Sequence, residues 1–222
     1  MESISEIELR AHENSIIARK EIAFANELKR MAKQELKKAE AREALMRKQL
    51  QLAEIGEDLA KQNKELVDHK SKSKKVLKVP EEVLKIELEF SRFNEVLANN
   101  QKSIAKIHKN IAKLERKIAE RRIDLSKEKK DFGKKRLNVS KTQMYFAKVV
   151  KARDNEDKIQ AIRDQVKYEQ EELNNARNDI LKIEKDIRKM QNEIADLRGN
   201  LSIELSESEK IKYTSTIMDD TS

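Results

Sequence analysis

Residues 81–132 read EEVLKIELEFSRFNEVLANNQKSIAKIHKNIAKLERKIAERRIDLSKEKKDF, and stepping through them in sevens from Val83 meets Phe90, Leu97, Ile104, Ile111, Ile118, Leu125 and Phe132. Every stop is apolar. Three residues beyond the early stops stand Ile86, Phe93, Asn100, Ile107 and Leu114, so spacings of three and four alternate as in the a and d rows of a coiled-coil heptad. The a row keeps its phase past Gly133 through Val139 and Phe146. That continuity predicts a helix running through the glycine, weakened there by about 1 kcal/mol relative to alanine but not ended.

Upstream of this stretch lies Pro80, the only proline. Proline suits a helix start because its missing N–H has no intrahelical partner in the first turn, so the central helix is expected over residues 81–153. The run Arg153-Asp-Asn-Glu-Asp157 then reads as a tight turn, with Asp and Asn as N-caps and acidic residues placed to complement the dipole of a following helix. That helix, expected over 156–205, carries a seam in a new phase: Ile159, Val166, Leu173, Ile180, Ile187, Ile194 and Leu201 at a, with Ile162, Ala176, Ile183, Met190 and Leu197 at d. Asn100, Arg121 and Glu169 are polar residues at d positions, which either fix register against a neighbour or mark where no neighbour lies.

The first third of the chain is less regular. Leu45, Leu52, Leu59 and Leu66 keep strict sevens with Ile55 between them, whereas Phe24, Leu28, Ala32 and Leu36 step by fours, as in a seam that drifts around its helix. A helix over 5–68 is expected, then a basic linker over 69–80. Residues 206–222 lose the periodicity and read as a flexible tail.

Composition supports long helices. Of 222 residues, 41% are charged, 4% are aromatic with no Trp, and there are only three glycines and one proline. Globular chains contain roughly 12% Gly plus Pro and about 25% charged residues, so this chain has few turns and little material for a broad core. The fold expected is all-α: an elongated antiparallel coiled coil of three long helices in a single domain over 1–205. Its central helix would span roughly 110 Å at 1.5 Å per residue. Helix 3 reaches back only to about residue 105, and a dimer is expected to cover what it leaves open.

No catalytic, cofactor-binding or metal-binding residue is expected. The absence of cysteine removes disulfides, thiolate metal sites and thiol nucleophiles. His12, His69 and His108 share no metal-ligand spacing, and glycines at 56, 133 and 199 cannot form a phosphate-binding loop. The acidic N-terminus is no secretory signal and no stretch reaches the ~20 apolar residues of a membrane span, so the expectation is a soluble cytoplasmic protein, associated with cytoskeleton or membrane.

Net charge is +8 and two basic clusters stand out. Lys70, Lys72, Lys74 and Lys75 lie in the linker, and Lys127, Lys129, Lys130, Lys134, Lys135 and Arg136 flank Gly133. They are candidate anion-binding residues, each worth about 1 kcal/mol beside an acidic bilayer, against the plainer reading of solvated faces. Nucleic acid is a weaker partner, since no aromatic platform accompanies either cluster and neither is placed as a basic helix before a parallel zipper.

Three long antiparallel helices with a tight turn between the second and third resemble a BAR-type membrane-curvature domain over residues 5–205, in architecture and without a motif. The resemblance implies a peripheral protein of curved, anionic membranes. The residues themselves point first to a non-enzymatic coiled-coil scaffold that dimerises, joins coiled-coil or filament partners in a larger assembly, and takes no small-molecule substrate.

Overall fold

The computed structural model describes residues 3–73, 80–153 and 155–220, with side chains up to residue 211. It is all-α. Helix α1 spans Ile4–Lys72, α2 spans Glu81–Lys151 and α3 spans Glu156–Asp220. The helices start and stop where local chemistry dictates. Ser3 and Glu6 form a reciprocal capping box, the Glu6 N–H donating to Ser3 Oγ at 3.3 Å and the Ser3 N–H to Glu6 Oε2 at 2.7 Å. Pro80 stands just before α2 and its carbonyl accepts from the Leu84 N–H at 3.3 Å. Asn155 caps α3 through Oδ1, which accepts from the Asp157 N–H at 3.2 Å. Arg153 turns the chain between α2 and α3 with φ at 52°, the left-handed conformation more often given to glycine after a helix.

Two boundaries differ from the sequence reading. α1 runs on to Lys72, taking in the first residues assigned to the basic linker, and α3 runs on to Asp220 instead of ending near residue 205. A helix continues without an apolar stripe when its residues are sound helix formers, and the stretch from Ser206 has no Gly or Pro to stop it.

The chain divides into two compact units. One comprises residues 1–37 with 117–190, the other 38–116 with 191–222. Within the first, α1 and α2 are antiparallel: Lys151 meets Glu8 at 2.6 Å, Arg136 meets Glu21 at 2.8 Å and Arg122 meets Glu35 at 2.6 Å. α3 is antiparallel to α2 in turn, through Lys135 with Glu172 at 2.8 Å and Lys129 with Glu184 at 3.0 Å. In the second unit the same order holds, from Arg116 with Glu43 at 2.7 Å to Lys64 with Glu95 at 2.6 Å, while Asn100 Nδ2 donates to Glu204 Oε2 at 3.0 Å.

What lies between α1 and α2 is mostly small. On α2 the buried row is Leu84, Ser91, Ala98, Ala105, Ala112, Ala119, Ser126, Gly133, Ser140 and Ala147, one residue beyond each a position. In the first unit it faces Ala11, Ala18, Ala25 and Ala32 of α1, all essentially inaccessible. Small side chains let two helix backbones approach, toward the short end of the 8–10 Å range of interaxial distances. Gly133 shows how close: a Cβ there would sit 2.8 Å from Ile22 Cγ1 and 3.2 Å from the Ala18 carbonyl oxygen. Ser140 Oγ donates across the same contact to the Ala11 carbonyl at 2.5 Å.

The a row of α2 has another role. Ile111, Ile118 and Leu125 are buried, and Leu97 and Ile104 partly so. On α3, Ile187 and Ile194 are buried, with Ile159, Val166, Leu173, Ile180 and Leu201 partly buried. Val83 and Phe90, expected in this seam, are instead exposed at 43% and 57%. The residues buried at this end of α2 are Leu84 and Ser91, one position beyond the a row. The polar d residues pair across helices: Asn100 with Glu204, Arg121 with Asp186 at 3.4 Å, and Glu169, which accepts from Thr142 at 3.1 Å. They mark register.

Candidate protein interaction surface

The basic cluster around Gly133 is largely neutralised by its own fold. Lys127 pairs with Asp124, Lys129 with Glu184, Lys134 with Asp131, Lys135 with Glu172 and Arg136 with Glu21, all at 3.1 Å or less. Only Lys130 of the six lacks an ion pair among the described residues. An approaching anion must compete with five carboxylates, and the local field is weaker than the count of lysines suggests. In the linker cluster, Lys70 lies 3.4 Å from Glu87 and Lys72 ends α1, while Lys74 and Lys75 fall outside the described residues.

Apolar surface is the more distinctive feature. Leu45, Leu52, Ile55, Leu59 and Leu66, the seam expected of α1, are instead exposed. The reason is angular. α1 turns Glu43, Leu50, Glu57 and Val67 toward the inside of its unit, and residues two positions after Glu43, Leu50 and Glu57 fall about 200° around the helix. The first unit repeats the pattern with Ile17, Phe24 and Met31 exposed in strict sevens. There, Phe24, Phe132, Ile180 and Leu181 line an open groove of about 420 Å³ with Arg136, whose guanidinium lies 5.2 Å from the Phe132 ring centre. Burial beside this groove raises the Glu21 carboxyl above its ordinary pKa, with Arg136 opposing the rise.

Two buried carboxylates set the electrostatics of the second unit. Glu43 accepts from Arg47 and Arg116, and Glu57 accepts from Lys102 and, at 2.7 Å, from Lys61. The Lys102 hydrogen bond, then that from Lys61, lowers the Glu57 pKa from an ordinary 4.5 to about 2. A carboxyl depressed in the folded state adds stability above its unfolded pKa and loses it as pH falls through its folded one. Helicity monitored by circular dichroism is therefore expected to weaken from about pH 4.5 to about pH 2. Glu57→Gln should flatten the curve across that window; an unchanged curve would show that Glu57 is not a stabilising node.

Among the described residues no group of three or more His, Asp or Glu side chains is disposed to hold a metal ion, and no helix is long and apolar enough to cross a membrane. Compared with family models, curated proteins and solved structures, the chain matches none.

Proposed function

We propose that this chain is a non-enzymatic coiled-coil scaffold that associates with itself and helps to assemble a larger cytoskeletal or organelle-associated structure. One observation supports it above others: α1 packs inward through Ala11, Ala18, Ala25 and Ala32 in the first unit and through Glu43, Leu50, Glu57 and Val67 in the second, yet in both it carries a row of large apolar residues at heptad spacing that stays exposed among the described residues. Contiguous exposed apolar rows of this kind mark protein contacts, whereas single exposed residues do not. A membrane-curvature role rests on the helix layout and on the basic cluster, and the carboxylates paired with that cluster argue against it.

Sedimentation velocity over a concentration series tests the proposal. A dimer is expected at micromolar concentration, and it should persist at salt that would release a lipid-bound cation patch. A monomer throughout the series would contradict it.

A further inference from the structure

We propose that two copies of this chain pair through α1 in antiparallel crossing, with a two-fold axis beside Ile55 and Gly56. The inference deepens the scaffold reading and rests on it.

Leu45, Leu52, Ile55, Leu59 and Leu66 are between 53% and 69% exposed. Closed symmetric dimers need a patch that complements itself, so that a residue meeting another's image is met by it in return. The leucines meet this condition. Turned about a point between residues 55 and 56, Leu45 falls opposite the partner's Leu66 and Leu52 opposite the partner's Leu59. At the centre of that arrangement stands a glycine.

Gly56 is in mid-helix, where glycine costs about 1 kcal/mol of helix stability relative to alanine. Gly133 bears that cost because Ile22 and the Ala18 carbonyl leave no room for a Cβ, but a Cβ on Gly56 would meet nothing within 4 Å. Packing within the chain gives Gly56 no role. A second helix crossing at this point does, because glycine lets backbones approach closely.

Charge selects both the partner and the orientation. Lys48 and Glu65 lie at opposite ends of the row, both exposed and without an ion pair among the described residues. A parallel pairing would set Lys48 against its own image, and like charges brought together across an interface disfavour it. The antiparallel crossing instead brings each Lys48 beside Leu66 and Glu65 of the other copy, twice per dimer. Gln49, Gly56 and Asn63, along one edge of the row, are uncharged and allow identical surfaces to meet.

The absence of cysteine makes the test direct. Ile55→Cys should form a disulfide-linked dimer on mild oxidation, since residues at the axis come within bridging distance. Leu45→Cys alone should not, its two copies lying about 32 Å apart along the helices. Leu45→Cys mixed with Leu66→Cys should give the crossed product. Leu52→Asp with Leu59→Asp should raise the dimer dissociation constant on the order of a hundredfold, with helicity retained because both sites are exposed in the chain. Lys48→Glu should weaken pairing and Lys48→Glu with Glu65→Lys should restore it. Cross-linking of Leu45→Cys to itself would overturn the antiparallel axis. A dimer that persists in the double aspartate variant would overturn this surface while leaving the scaffold reading standing; a wild-type chain that stays monomeric would defeat both.

Discussion

Gly133→Leu is expected to lower the stability of the helical fold by about 3 kcal/mol, the upper part of the usual range for side chains forced into a full interface. A leucine at this position has no space to enter. Even its Cβ would lie 2.8 Å from Ile22 Cγ1 and 3.3 Å from the Ile22 backbone nitrogen, so α1 and α2 would have to separate locally. Alanine resolves the balance between propensity and packing. It recovers about 1 kcal/mol of helix propensity and loses more to the clash, for a net destabilisation of about 1 kcal/mol. Gly199→Ala is the control: nothing lies within 4 Å of its Cβ, and up to about 1 kcal/mol of added stability is expected. Urea unfolding followed by circular dichroism reads all three. A stabilising Gly133→Ala would mean that α1 does not approach as closely as described.

Arg116→Ala is expected to cost about 2–3 kcal/mol, because removing one partner of a buried ion pair leaves the other charge undercompensated. Glu43 is only 4% exposed and accepts from Arg116 Nε at 2.7 Å; after the substitution Arg47, itself largely exposed, is left to compensate it. Glu43→Leu is expected to be close to neutral or stabilising, since it removes the charge together with its desolvation cost. The two variants separate what the pair does from what breaking it does. If Arg116→Ala unfolds at the same urea concentration as the parent, Glu43 is solvated and the node has no structural weight.

The two acidic nodes help to explain why α1 and α2 have one alignment. A row of alanines and serines is nearly indifferent to a slip of seven residues, since one small side chain replaces another. Glu43 and Glu57 are not indifferent: each needs its own cation from α2, Arg116 and Lys102 respectively. On the other side of α2, Asn100 and Arg121 fix α3 in the same way. Polar residues inside a helix seam cost stability and return register.

Much of the fold is legible in the chain. The a row from Leu97 to Leu125, the helix start after Pro80, the cap at Asn155 and the continuity of α2 through Gly133 all follow from local chemistry that acts within a few residues. The principal contact of α2 with α1 does not, because a search for large apolar side chains passes over alanine, serine and glycine. Stepping in sevens from Ser91 for small residues would have found it. Leu45, Leu52, Leu59 and Leu66 mislead for a different reason: they form the more conspicuous row on that part of α1, while the residues buried there, Glu43, Leu50, Glu57 and Val67, include two carboxylates that no apolar pattern singles out.

The candidate surfaces were legible unevenly for a related reason. Sequence shows that Lys127, Lys129, Lys134, Lys135 and Arg136 are close together, but not that Glu21, Glu172 and Glu184 arrive from the other helices to meet three of them. Charge within one segment is visible in a string of residues. Charge compensation between helices depends on register, which the fold supplies.

Distances between paired spin labels test the central claim, the antiparallel packing of α1 on α2. Cysteines replacing Arg19 and Asn138 probe the first unit, and those replacing Gln51 and Lys106 the second, with labelled chain diluted in unlabelled chain so that only distances within one molecule are read. For helices packed side by side at 8–10 Å, both pairs should give narrow distributions below about 30 Å. Broad distributions centred beyond about 50 Å would show that α1 does not lie along α2, and the alanine, serine and glycine row would lose its partner.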